Sequence, residues 1–380
     1  MRKFKIVYCV PSLYIPGGVE RVLTLKANYF AEHFGYDITI ITTDGKDKPY
    51  AFPLSERVNV INLDINFNEL WNCSFIRKVY LYLKKQYVYK KKLKDELMRI
   101  RPDITDSLLR REINFFTEIP DGSKKIGELH VNRANYRNFE ANETNFIKEL
   151  FSKYWMHDLI KHLKKLDRFI VLTEEDKATW VELDNVVAIP NPISFTVDRA
   201  SPLSQKRVIA VGRYAYQKGF DMLLKAWAIV EKQNNEWTLA VYGAGERESY
   251  QQLMDELMIN KDRCHLYGNT KEIQKEYQNS SLFIVSSRFE GLSMAMLEAI
   301  ACGLPVVSFA CPCGPRDVIS DGINGMLVPK EDIEGLAKAL IKLMDSPGQI
   351  KIMGENARKK SEDFKIEALA GKWKELFENL

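Results

Sequence analysis

Ser281-Leu-Phe-Ile-Val-Ser-Ser-Arg-Phe-Glu290-Gly-Leu-Ser-Met-Ala-Met-Leu-Glu298-Ala-Ile-Ala-Cys-Gly303-Leu-Pro305-Val-Val-Ser308 decides the fold. The apolar run up to 285 reads as a strand, a short loop follows, and residues 292–302 read as a helix. Gly303 stops that helix and Pro305 opens another strand. An apolar helix between two apolar strands is a βα unit of a parallel sheet. Within the helix Glu298 is the only charge among Leu, Met, Ala, Ile and Cys. A helix so placed is buried, and a buried carboxylate is costly unless something binds it. Glu290 falls in the loop before the helix, at the carboxyl edge of its strand, where open α/β sheets place ligands. Taken alone, Glu298 reads equally well as the partner of a structural Arg, and Glu290 as a solvated loop acid.

The same alternation runs outward in both directions. Strand patterns occur at residues 4–10, 36–42, 58–63, 103–108, 126–131, 168–172 and 186–189, then at 207–211, 238–242, 264–267, 282–286, 305–309 and 325–328. Helical patterns fill most of the gaps, and 333–380 reads as helices only. With 380 residues the chain exceeds what one hydrophobic core usually serves. The expected organisation is a first domain at 1–190, a second at 191–360, and a helix at 361–380 that either caps its own domain or crosses back to the first. The joint is expected at Pro190-Asn191-Pro192 and the polar stretch up to 205.

A hydrophobic fraction of 46% and a charged fraction of 28% are those of a soluble globular protein. No stretch has the roughly 18 uninterrupted apolar residues of a spanning helix. The net charge of +4 is too small to argue for nucleic acid. Cys9, Cys73, Cys264, Cys302, Cys311 and Cys313 are scattered through apolar segments with no signal peptide ahead of them, which fits a reducing cytoplasm. The close pair at 311 and 313 lacks the second pair or the histidines that zinc needs, so no metal is expected.

Two further loops carry binding chemistry. After strand 207–211 the chain turns through Arg213 and Lys218-Gly219 into a helix starting near Phe220. Two cations at a helix start suit a diphosphate. After strand 4–10, Gly17 and Gly18 lead into a helix over 21–34. Paired glycines let a loop approach a ligand closely and leave backbone N–H groups pointing outward, a cradle for phosphate or a donor sugar. The spacing is not G-x-G-x-x-G, so the dinucleotide fingerprint is absent.

Glu290 and Glu298 form the E-x7-E pattern of retaining glycosyltransferases of family 4, and the whole 290–307 context resembles that family. The resemblance extends in order to Gly-Gly-Val-Glu-Arg at 17–21, Pro-Asn-Pro-Ile at 190–193, Val-Gly-Arg-Tyr at 211–214, and Lys-Gly-Phe-Asp at 218–221. It continues with Gly-Ala-Gly at 243–245, Tyr-Gly at 267–268, Gly-Pro-Arg-Asp-Val-Ile at 314–319 and Asp-Gly-Ile-Asn-Gly at 321–325. It implies a GT-B fold: α/β, two Rossmann-like doubly wound domains facing an interdomain cleft. It also implies an activated sugar as donor and no metal or other cofactor. The absence of an Asp-x-Asp signature agrees with Arg and Lys acting as the counter-charge.

Carried over position by position, the resemblance assigns Arg213 and Lys218 to the donor diphosphate, Glu298 to the ribose hydroxyls and Glu290 to the hydroxyls of the donor sugar. Backbone N–H groups of Leu292, Ser293 and Met294 would meet phosphate or sugar, and Gly17 and Gly18 would close over the donor from the first domain. His130 matches a histidine that family members keep near the donor sugar, or is a satisfied structural residue. His33, His157, His162 and His265 receive no role. The stretch 309–319 looks most like enzymes using UDP-hexoses or UDP-N-acetylhexosamines for bacterial surface glycans, with a glycan or lipid-linked acceptor. Competing readings are a sugar-nucleotide epimerase on the same architecture and an inactive partner subunit.

Residues 76–101 hold ten Lys or Arg against Asp95 and Glu96. Ile76, Val79, Tyr80, Leu83 and Tyr87 follow helical spacing, and Leu93, Leu97 and Ile100 resume it after a phase slip. One reading is a surface helix packed on the first domain with its lysines in water. The sharper one rests Tyr82, Tyr89, Lys84, Lys85, Lys90, Lys91 and Lys92 on anionic lipid, which would make the protein peripheral on the inner face of the plasma membrane.

Overall fold

The computed structural model describes residues 2–136 and 146–380. The chain divides into two compact units, Met1–Pro190 with Leu369–Leu380, and Asn191–Ala368. In the first unit β1 (Lys5–Val10), β2 (Asp37–Thr42), β3 (Val58–Asn62), β4 (Ile104–Ser107), β5 (Lys124–Glu128), β6 (Arg168–Val171) and β7 (Val186–Ala188) form one sheet. Its order is β3-β2-β1-β4-β5-β6-β7. All pairings are parallel, with Tyr8 opposite Ile40 on one side and Asp106 on the other. The second unit holds β8 (Arg207–Val211), β9 (Thr238–Tyr242), β10 (Cys264–Tyr267), β11 (Leu282–Val285), β12 (Val306–Phe309) and β13 (Gly325–Val328). Its order is β10-β9-β8-β11-β12-β13, again all parallel.

Both sheets therefore run outward to one edge and then return past the first strand. The chain direction switches between β1 and β4 and between β8 and β11, which are the points where a doubly wound sheet opens a crevice at its carboxyl edge. Every strand pattern of the sequence is a strand here, most within one or two residues. The largest displacement is at β5, which begins at Lys124 and ends at Glu128 rather than running from 126 to 131. Lys125 can sit inside a strand because its ammonium meets the buried Asp121 carboxylate at 2.6 Å. The helix Gly18–Tyr29 begins earlier than its apolar pattern and ends in a wider turn over Phe30–Phe34, closed by Gly35 at φ +64°.

Within the first unit the terminal residues complete the core. Trp373 and Phe377 are buried with Phe4, Phe30 and Tyr36, and the Phe377 ring lies 5.8 Å from that of Phe30. The helix Phe75–Ile100 is anchored by its second half, where Tyr89, Leu93 and Leu97 are fully buried. Its first half turns the other way. Ile76, Val79, Tyr80, Leu83 and Tyr87 are exposed, so the helix packs on its unit through its second half and not through this stripe.

In the second unit Gly219 caps the helix Phe220–Gln233 at φ +62°, and a Cβ there would stand 2.1 Å from the carbonyl oxygen of Ser286. No side chain fits. Gly219→Ala should lose about 1–3 kcal/mol from the positive φ alone, and more from the collision. Gly348→Ala, in the first turn of the helix Pro347–Ser361 with nothing within 4 Å, should leave stability unchanged or slightly raised. Urea unfolding of the two variants checks the contrast.

Candidate active site

The loops after β8 and β11 meet at the switch point of the second sheet. Ser286 Oγ donates to the Lys218 carbonyl (2.9 Å), the Arg288 N–H to the Gln217 carbonyl (2.8 Å), and Gln217 Nε2 to the Phe289 carbonyl (3.1 Å). Arg288 also forks onto Asp221 at 2.8 and 2.6 Å and covers the Tyr216 ring at 4.0 Å. Burial opposes the Asp221 charge, but the Arg288 hydrogen bonds and charge outweigh it and hold that carboxyl below its ordinary value. The two loops are thus one rigid piece. Lys218 Nζ lies 2.7 Å from Glu290 Oε1, which also accepts from Ser287 Oγ at 2.6 Å. Arg213 is exposed and has no hydrogen bond or ion pair among the described residues.

Glu298 sits in the buried helix Met294–Ala301 and is itself buried. Its Oε1 accepts from Ser194 Oγ and its Oε2 from Tyr277 OH at 3.0 Å. Ser194 follows the 190–193 turn, and Tyr277 closes the short helix Ile273–Gln278 with its ring fully buried. Ser293 caps the helix start without a side-chain bond, and Leu292 and Ser293 are buried. As in any helix, the first N–H groups, those of Met294 and Ala295, have no intrahelical acceptor. Cys311 lies near enough that the Glu290 charge adds to burial in pushing its thiol up to about 12.

The structure thus brings Lys218, Glu290 and the Leu292–Met294 turn to one switch point, with Arg213 on the same β8 loop. Ser287, Arg288, Asp221, Ser194 and Tyr277 complete the arrangement and were not singled out from sequence. Arg288 had a signal, as a cation two residues before Glu290 in a loop at a strand end. Tyr277 had none, because its partner lies 21 residues away on another element.

In the first unit Gly17 caps the helix Gly18–Tyr29 with extended backbone. Its N–H donates to the Ile15 carbonyl at 2.8 Å, so the expectation of an outward-pointing N–H is corrected at this residue: the turn closes on itself. The Glu20 carboxylate folds back until an oxygen lies 2.2 Å from where a Gly17 Cβ would be, and burial raises the Glu20 carboxyl above its ordinary range. His130 follows β5 in a loop. Its side chain is nearly buried, with Nε2 3.4 Å from Glu128 Oε2.

Behind His130, Lys26 (2% exposed) pairs with Glu128 (3% exposed). The ammonium lies 4.0 Å from the Trp373 ring centre and 5.3 Å from that of Tyr8. Burial opposes the Glu128 charge, yet Lys26 overrides it and holds that carboxyl well below its ordinary value. Burial and the Glu128 charge push the neighbouring Asp106 carboxyl well above its own.

Four of the residues expected on lipid, Lys85, Tyr89, Lys90 and Lys92, are engaged within their own unit instead. Tyr89 is buried and hydrogen-bonds Glu112 at 3.3 Å. Lys85 donates to the Asn66 carbonyl and to Glu69, both at 2.9 Å, while Lys92 donates to the Leu63 carbonyl at 2.6 Å and Lys90 pairs with Glu118 at 2.9 Å. These side chains hold the helix to its own unit because the core-facing side begins there. Lys84 and Lys91 remain exposed without such partners among the described residues.

Residues 195–360 match the family described as Glycosyl transferases group 1. An uncharacterized glycosyltransferase of Haemophilus influenzae is 28% identical over 376 residues, 97% of this chain and 99% of that protein. The poly(ribitol-phosphate) alpha-N-acetylglucosaminyltransferase of Staphylococcus aureus is 27% identical over 67% of this chain, which spans about half of that relative's length (51%). Staphylococcus aureus TarM, solved as a point mutant in complex with Fondaparinux, alpha-GlcNAc-glycerol and UDP, superposes with a TM-score of 0.77. It is 17% identical and covers 98% of this chain and 99% of its own, a likeness that shows the fold. The chain has the GT-B fold, and residues 195–360 of its second unit carry the glycosyl transferases group 1 pattern. Among its described residues no helix is long and apolar enough to cross a membrane.

Removing one partner of the buried Lys26–Glu128 pair strands the other charge. Lys26→Met should cost about 3–5 kcal/mol, and adding Glu128→Leu should recover much of it. Urea unfolding of the single and double variants gives the comparison.

Proposed function

We propose that the chain is a retaining glycosyltransferase of family 4 that moves a hexosyl or N-acetylhexosaminyl group from a UDP-linked donor to a glycan or lipid-linked acceptor. Its setting would be cell-surface polysaccharide biosynthesis on the cytoplasmic side of the membrane. The observation that carries this reading is the β8/β11 switch point, where an exposed Arg213, the Lys218–Glu290 pair and a helix N-terminus gather on rigid loops. The relatives support it: one transfers N-acetylglucosamine onto poly(ribitol-phosphate), and the TarM structure holds UDP.

Loss of UDP leaves growing negative charge on the β-phosphate and positive charge on the sugar carbon. Arg213, Lys218 and the N–H groups at 292–294 stabilise the first, which is the role a metal plays elsewhere, so no cofactor is needed. Lys218 exchanges part of its contact with Glu290 for phosphate. Glu290, steadied by Ser287, then orients the sugar hydroxyls and faces the developing positive charge. Glu298 accepts from the ribose hydroxyls in place of Ser194. Retention follows if the leaving phosphate takes the acceptor proton on the same face.

Incubation of the protein with a panel of nucleotide sugars tests the activity. UDP release with one of them supports it, whereas interconversion of sugars without UDP release points to an epimerase and no turnover at all to an inactive subunit. Arg213→Ala should weaken donor binding by about 1.5–3 kcal/mol, roughly 10- to 150-fold, with stability unchanged. Lys218→Ala should lower both affinity and stability, because it leaves the Glu290 carboxylate, 5% exposed, without its ammonium. Kinetics and melting temperature of the two variants, unchanged in both, would overturn the diphosphate assignment.

The two carboxylates should also separate. Glu298→Gln should chiefly weaken UDP binding and Glu290→Gln chiefly lower turnover. Calorimetry with UDP beside steady-state kinetics reads the difference, and equal loss of UDP affinity in both refutes the division.

A further inference from the structure

The helix Phe75–Ile100 carries an apolar stripe that no described residue covers. Ile76 is 84% exposed, Tyr80 67%, Leu83 62% and Tyr87 74%, at spacings of four, three and four residues. That spacing is one face of a helix. Continued by four and three, the same stripe reaches Lys91 and Lys94, both exposed. Lys84 stands beside it, also exposed, and none of these three lysines has a hydrogen bond or ion pair among the described residues. No acid occurs between 75 and 94. The opposite side of the helix is the one that anchors it, through Tyr89, Leu93 and Leu97 and through the carbonyl bonds of Lys85 and Lys92. Among the described residues nothing in its own unit packs on the exposed stripe.

We propose that this stripe inserts into the surface of an anionic bilayer, with Ile76, Tyr80, Leu83 and Tyr87 in the headgroup–acyl boundary and Lys84, Lys91 and Lys94 on the lipid phosphates. The charge beside the stripe chooses the occupant. A second copy would set the same cations against each other, whereas an anionic lipid surface takes the apolar residues and the cations together. Tyrosine suits this depth because its ring is apolar and its hydroxyl reaches water. A helix with one apolar face, a basic flank and no spanning length lies in the interface plane. Binding of this kind does not depend on the donor chemistry proposed above, but it would hold a glycosyltransferase where a lipid-linked acceptor is found.

Sedimentation with vesicles of phosphatidylcholine alone, or with added phosphatidylglycerol, tests the surface on the whole chain without any nucleotide sugar. Binding is expected only with phosphatidylglycerol and should weaken as salt rises. Replacing Lys84, Lys91 and Lys94 by Gln should lower partitioning about fivefold per charge. Leu83→Ser with Tyr87→Ser should lower it by at least about tenfold even at low salt, because apolar burial and not charge is removed. Binding that is absent from anionic vesicles, or equal in the Ser variant and the wild type, overturns the proposal. So does a wild-type dimer that the Ser variant converts to monomer, since the stripe would then be a self-interface. UDP release by the same variants in solution is expected to be unchanged, so failure of membrane binding and failure of the glycosyltransferase mechanism register in different assays.

Discussion

The carbonyl oxygen of Ser286 occupies the place where a side chain at residue 219 would stand, and the rest of the candidate site depends on that contact. It brings the loop after β8 and the loop after β11 to backbone distance at the switch point of the second sheet. Once they touch, Ser286 can reach the Lys218 carbonyl, Arg288 can reach the Gln217 carbonyl, and the Lys218 side chain is delivered to Glu290. A glycine at 219 is the condition for all three. The doubly wound strand order makes the approach available, since β8 and β11 are neighbours although 70 residues of chain separate their ends.

Charges in this protein are placed by two different means. In the second unit, Arg288 with Asp221 and Lys218 with Glu290 lie at loop ends, part-buried, where water still reaches one partner and a bound phosphate could compete. In the first unit, Lys26 with Glu128 lies behind the sheet edge among Tyr8, Trp373 and Asp106, sealed from water. The first arrangement suits exchange of partners during a reaction. The second resists exchange, because separating two desolvated charges is expensive, and it fixes the base of the loop that carries His130.

Much of the fold was legible because its signals are local. Each strand announces itself as a short apolar run between turn residues, and a parallel sheet buried on both faces needs no long-range information to be recognised. Gly303 and Gly219 mark helix boundaries for the same reason. For the candidate site the sequence offered positions, Arg213, Lys218, Glu290, Glu298 and the glycines, but no contacts. Nothing near Glu298 in sequence points to Tyr277 or Ser194, and Gly17 gives no sign that its N–H turns inward to Ile15.

The sequence by itself determined the two parallel sheets, the loops at their carboxyl edges and the helix at 75–100, since apolar periodicity, glycine conformation and charge along a helix are properties of neighbouring residues. Only the tertiary structure decided which residues of that helix face water. The pattern offered two apolar stripes with a phase slip between them, each a sound candidate for the core. Tyr89, Leu93 and Leu97 won because strands β1 and β2 and the loop after β3 supply partners on that side, including the carbonyls that take Lys85 and Lys92. Ile76, Tyr80, Leu83 and Tyr87 stay outside because no other described part of their unit covers them. Burial belongs to pairs of segments, and periodicity along one segment states that a face is apolar without stating what will cover it.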